Sequence, residues 1–90
     1  MITVKCELYN KDFYKVVDDA FVNFAGMQKI SEGHYESNDK NVFNTSFLAV
    51  DDLLKIKGFI DSVKSLIRNV DGEEEDIFEY YNYLKSKNKI

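Results

Sequence analysis

Between Asp71 and Glu79 the chain carries six carboxylates in nine positions: Asp71, Glu73, Glu74, Glu75, Asp76 and Glu79. An aromatic stretch overlaps and follows, Ile77-Phe78-Glu79-Tyr80-Tyr81-Asn82-Tyr83-Leu84. Acids in the first turn of a helix are favoured by its dipole, each by ~0.3–1 kcal/mol, and two or three would satisfy that demand. Six exceed it, and on a helix Glu75 and Glu79 repel at i,i+4. Such an excess fits a surface that binds a basic partner. Tyrosine suits that surface because it joins a large apolar area to a polar tip. Adjacent helical positions lie ~100° apart, so these aromatics cannot share one face. Ile77, Tyr81 and Leu84 form the natural buried stripe with Phe78 beside it, which leaves Tyr80 and Tyr83 toward the surface. The expected partner-binding residues are therefore Asp71, Glu73, Glu74, Glu75, Asp76, Glu79, Tyr80 and Tyr83, with Asp18, Asp19, Asp51 and Asp52 as an extension.

Other chemistry finds little support. A calcium loop of the EF type needs alternating oxygen ligands with glycine at the sixth position and glutamate at the twelfth, and Asn69, Asp71 and Gly72 do not keep that spacing. His34 stands between Glu32 and Glu36, as a solvent-facing histidine on a polar edge strand would. Cys6 falls among apolar positions, where cysteine acts as a small hydrophobe. Lys57, Lys64 and Arg68 form one basic stripe along a helix, read as a mixed-charge solvated face. Phosphate-loop, dinucleotide, zinc-protease and nucleophile-elbow motifs are absent. No catalytic residue, metal or cofactor is expected, and the chain is read as non-enzymatic.

The elements that would hold the acidic array follow from periodicity. Ile2, Val4, Cys6 and Leu8 alternate with Thr3, Lys5, Glu7 and Tyr9, which predicts a strand over 2–9. Asn10 is placed to cap a helix whose apolar face is Phe13, Val16, Val17, Ala20, Phe21 and Phe24, ending at Gly26. Two strands are expected over 28–36 and 42–50, joined by the polar stretch 37–41. Asp51 and Asp52 then open a long helix with Leu53, Ile56, Ile60, Val63, Ile67 and Val70 on one side and Gly58 inside it. Asp71-Gly72 breaks that helix, and a last helix is expected over 73–87. The order β-α-β-β-α-α implies an α+β domain over residues 1–90, a three-stranded mixed sheet with helices packed on one face.

Composition sets the bounds. Ninety residues with 44% apolar content and 13 Phe and Tyr make one domain with an ample core. A net charge of −4 and a pI near 4.9 oppose direct nucleic-acid binding, which rests on clustered Lys and Arg. The single cysteine fits a reducing compartment. No leader-like N-terminus or membrane-length apolar run is evident, so a cytoplasmic location is expected. Eleven Lys to one Arg, beside eight Asn, is the bias of an AT-rich genome such as that of a phage or a low-GC bacterium.

The segments Gly58-Phe59-Ile60-Asp61-Ser62-Val63-Lys64 and Asp71-Gly72-Glu73-Glu74-Glu75-Asp76-Ile77-Phe78-Glu79-Tyr80-Tyr81-Asn82 resemble small phage-encoded inhibitors. These include anti-CRISPR proteins that block Cas9, in which a helix leads through a Glu-rich turn into a second helix, and DNA mimics such as Arn. The chain departs from that pattern by opening on a strand and by its modest net charge. The resemblance implies an anti-defence inhibitor acting by DNA mimicry in the host cytoplasm. Its partner would be the basic surface of a host DNA- or RNA-binding protein, without direct nucleic-acid contact or a membrane. A symmetric homodimer would double the anionic array. The alternative is a small nucleic-acid-binding or accessory module using Lys57, Lys64 and Arg68.

Overall fold

In the computed structural model, which describes residues 1–89, the alternation of Ile2, Val4, Cys6 and Leu8 with Thr3, Lys5 and Glu7 forms strand β1 (Ile2–Leu8), buried on one face. Asn10 caps the next helical run through its Oδ1, which accepts from the Asp12 amide at 3.0 Å. The run comprises a 3-10 turn (Lys11–Phe13), helix α1 (Tyr14–Asp18) and a π-helical stretch (Asp19–Phe24). Val17 and Phe21 are its fully buried anchors. Phe24, expected on the same face, is exposed. The π turn bonds i to i+5, as Ala25 N–H does to the Ala20 carbonyl, and so rotates positions beyond Phe21 off the α-helical stripe. Gly26 ends the run with φ +83°.

The single strand expected over 28–36 is instead a hairpin of β2 (Gln28–Ser31) and β3 (His34–Ser37). Gly33 sits in its turn with φ +75°, and a Cβ there would lie 2.2 Å from the Cys6 carbonyl oxygen. The turn thus requires glycine for conformation and for space.

The strand expected over 42–50 is corrected to helix α2 (Val42–Leu54). Its buried positions are Val42, Ser46, Ala49, Val50, Leu53 and Leu54, a helical spacing. The alternation read into this segment relied on Phe43, Phe47 and Leu48, which are among the exposed hydrophobic residues. Asp51 and Asp52 belong to the end of α2 and open no new helix.

The long helix expected over the following twenty residues is broken by Gly58, which is left-handed at φ +83°. After it come the single turn α3 (Phe59–Ser62) and strand β4 (Val63–Val70). Asp71-Gly72, at φ 52° and 94°, forms a two-residue turn into strand β5 (Glu73–Asp76). Positive φ at both central residues is the I′ geometry that matches strand twist, for which Asp-Gly is a favoured pair. The acidic run is therefore a strand, and the last helix, α4 (Ile77–Ser86), starts only after it.

Together the strands make one antiparallel sheet in the order β2-β3-β1-β4-β5, five strands in place of the expected mixed three. β1 and β2 run parallel with β3 between them, and β3 and β4 run parallel with β1 between them. These are two interlocked split βαβ units, the βαββαβ connectivity, extended by β5 and α4. The α+β class and the packing of helices against the face carrying Ile2, Val4, Cys6 and Leu8 agree with expectation.

Candidate functional site

The register places Lys29, Tyr35, Val4, Arg68 and Glu75 in one row across all five strands. The row lies on the helix-covered face, so Arg68 is only 3% exposed. A buried guanidinium must have its donors satisfied. Its Nε donates to Glu75 Oε1 at 2.7 Å, and its Nη1 donates to Ser46 Oγ at 2.8 Å and to the Phe43 carbonyl. Its central carbon lies 5.0 Å from the Phe43 ring centre and 5.5 Å from that of Phe47. Arg68 thereby ties β4 to β5 and to α2.

The six carboxylates of the run divide into two groups. Three are engaged within the chain. Glu75 holds Arg68, Asp76 caps α4 by accepting from the Phe78 amide at 2.8 Å, and Asp71 accepts from the Met1 ammonium at 2.8 Å. That hydrogen bond and the ammonium charge hold the exposed Asp71 carboxyl below its usual range. Glu73, Glu74 and Glu79 are exposed and make no ion pair or side-chain hydrogen bond among the described residues.

Of the proposed extension, Asp51 alone joins this region through a direct bond. The Tyr80 hydroxyl donates to its Oδ1 at 2.8 Å. Burial, followed by that hydrogen bond and the Asp51 charge, pushes the Tyr80 phenol up to about 12. Asp52 faces Lys55 at 3.9 Å in the last turn of α2. Asp18 pairs with Lys29 on β2 at 2.8 Å and accepts from the buried Tyr35 hydroxyl, beside the sheet edge opposite β5. Asp19 accepts from Asn23 in its own helical run.

Between β5, α2 and the first turn of α4 lies a groove of about 320 Å³. Phe47, Val50, Ile77 and Tyr80 form its apolar walls, Arg68 and Glu75 line it from the sheet, and Glu74, Asp76 and Glu79 stand along its border. The Phe47 and Tyr80 rings meet at 5.1 Å. Tyr80 is thus a half-buried wall of the groove, whereas Tyr83 is 56% exposed with Lys87 over its ring.

Phe43, Ser46, Phe47 and Val50 were not expected at this site. Their signal was the i,i+4 pair Phe43 and Phe47 on one helical turn spacing, hidden by the strand assignment. The basic stripe of Lys57, Lys64 and Arg68 does not form. Lys57 is in the loop before Gly58, Lys64 lies on β4 near Glu7, and Arg68 is buried. His34 sits on β3, inside the sheet edge, and is partly buried. Its Nε2 stands 3.2 Å from Glu36 Oε2 without hydrogen-bond alignment. Cys6 is buried, and that burial, with the neighbouring Glu7 charge, pushes its thiol up to about 12.

Among the described residues no three His, Cys, Asp or Glu side chains converge as a metal ion would require. No helix among them is long and apolar enough to cross a membrane. The chain is an α+β protein of split βαβ connectivity with an acidic, aromatic groove at one sheet edge. No protein-family model matches it, and neither a curated protein nor a solved structure does so.

Proposed function

We propose that this protein is a non-enzymatic interaction protein whose acidic β5 edge occupies the basic nucleic-acid-binding surface of another protein. The observation that carries this reading is the exposure of Glu73, Glu74 and Glu79, which form no ion pair among the described residues, beside an apolar groove. Glu73 and Glu74 project to opposite faces of the edge strand and Glu79 lies on the first turn of α4, so the carboxylates surround the sheet edge as a fixed anionic rim. A lysine- and arginine-lined cleft would be drawn to such an array by long-range attraction and held at short range by its carboxylates. In keeping with the phage-type inhibitors it resembles, the partner would be a host DNA- or RNA-binding protein, and a second copy of the chain would enlarge the array.

A second reading has its own observation. β5 is a sheet edge, and charged residues on edge strands prevent edge-to-edge aggregation. The test separates the two. A Glu73→Gln/Glu74→Gln/Glu79→Gln variant and the wild type are used to capture proteins from nuclease-treated bacterial lysate. Captured nucleic-acid-binding proteins are then challenged with duplex DNA and rising salt. Salt-sensitive, DNA-competed capture that the variant loses supports the inhibitor. Equal capture by both, with self-association of the variant, assigns the charges to edge protection.

A further inference from the structure

The geometry points to the groove beside β5 as a receptor for one arginine side chain of the basic partner. The inference rests on the acidic-edge reading above and adds the anchoring contact. An arginine has an apolar stem and a planar cationic head. The groove offers matching chemistry, with Val50 and Ile77 for the stem, the Phe47 and Tyr80 rings for the guanidinium plane, and Glu79 for its charge. Its volume of about 320 Å³ exceeds what a single side chain needs, which leaves room for the head to pair with a rim carboxylate. The molecule already seats a guanidinium in this manner. Arg68 lies against Phe43 and Phe47 and is held by Glu75. Because Glu75 compensates the charge of Arg68, Glu79 keeps the groove rim negative and able to take a second cation. Glu79 is exposed and makes no side-chain bond among the described residues, and Phe47 is 38% exposed, so both can meet a partner.

The test is a nuclear magnetic resonance titration of the isotope-labelled protein with N-acetylargininamide. N-acetylnorleucinamide, which keeps a stem without charge, and N-acetyllysinamide are the controls. The expected result is saturable shifts at Phe47, Ile77, Glu79 and Tyr80 amides with N-acetylargininamide, weaker with N-acetyllysinamide and absent with N-acetylnorleucinamide. Glu79→Gln, which removes no side-chain bond among the described residues, should weaken that binding roughly fivefold, and Phe47→Ser should abolish it with the spectrum otherwise dispersed as in wild type. Equal shifts from all three amides, or shifts confined to Glu73 and Glu74, overturn the assignment. The underlying function is judged separately. If Glu73, Glu74 and Glu79 neutralisation ends capture of a basic protein while Phe47→Ser leaves it intact, the acidic edge stands and the arginine receptor falls.

Discussion

Arg68 and Glu75 face one another across β4 and β5, Nε to Oε1 at 2.7 Å, with the arginine 3% exposed and the glutamate side chain 48% exposed. The pair is asymmetric, so its two halves should not be equivalent. Arg68→Ala removes a hub that also satisfies Ser46 and the Phe43 carbonyl, and should cost ~3 kcal/mol or more. Glu75→Gln keeps a neutral acceptor near Nε and should cost ~1 kcal/mol. Urea unfolding of both single variants and the double variant measures the coupling directly. Equal losses for the two single changes would refute the asymmetry.

Neutralising Glu73, Glu74 and Glu79 should leave stability within ~0.5 kcal/mol of wild type, because these side chains are exposed and make no ion pair or side-chain hydrogen bond among the described residues. Adding Glu75→Gln should then produce the first clear loss. Thermal unfolding of the triple and quadruple variants separates the half of the acidic run that holds the fold from the half available to a partner.

The four glycines divide in the same way. Gly72→Ala meets open space and should cost ~1 kcal/mol from its positive φ alone. Gly33→Ala would set a Cβ 2.2 Å from the Cys6 carbonyl oxygen and must move the β1–β3 contact, a loss of ~3 kcal/mol or more. Comparable unfolding midpoints for the two variants would contradict the close approach at Gly33.

Stability should fall at both ends of the pH range through neighbouring groups. Partial burial alone would raise the Asp18 carboxyl, but hydrogen bonds from Lys29 and Tyr35 and the Lys29 charge hold it below its ordinary 3.8. The folded form therefore prefers the ionised acid. Its contribution is present above pH ~4 and is lost as pH falls below that value. Burial first, then the Asp18 contact, raises the Tyr35 phenol well above its ordinary range. Its contribution is complete below pH ~10 and is lost as pH rises beyond it. Asp18→Asn should flatten the acid limb of a stability–pH profile, and Tyr35→Phe the alkaline limb. Unchanged slopes would remove these residues from the linkage.

The Tyr80 hydroxyl offers a local readout of the packing of α4 on α2. In Asp51→Asn its titration should drop from about 12 toward 10, since the carboxylate that disfavours phenolate is gone. Ultraviolet difference titration against a Tyr80→Phe background isolates this group. A titration that stays near its original position would mean that burial alone sets it.

Much of the first third of the chain could be read directly. β1 declares itself by period-two alternation, Asn10 by its capping position, and the helical run by an apolar stripe that holds as far as Phe21. These signals are local. From residue 28 on they conflict. Phe43, Phe47 and Leu48 are large and apolar yet exposed, whereas Ser46 and Arg68 are polar yet buried, so hydrophobicity reports the wrong faces of α2 and β4. Asp71-Gly72 carried the missing clue. Between two strands this pair specifies a tight hairpin, and reading it as a helix break converted β4 and β5 into helices.

The expected site was located by charge alone, and Tyr83 and Tyr80 were separated only by packing. Tyr81 and Leu84, expected in the same buried stripe as Ile77, are only partly buried. What the sequence by itself determined was the α+β class, the first strand and helical run, the acidic character of residues 71–79 and the burial of Ile77. These depend on periodicity and composition, which neighbouring residues alone express. The tertiary structure decided which carboxylates are consumed and which remain available. It did so by bringing β4 beside β1 and β5 beside β4, so that an arginine met Glu75 and the Ser46 hydroxyl together. That pairing joins residues 22 positions apart, between Arg68 and Ser46, and no local pattern encodes it because the stabilisation exists only once the sheet and α2 have closed around the guanidinium.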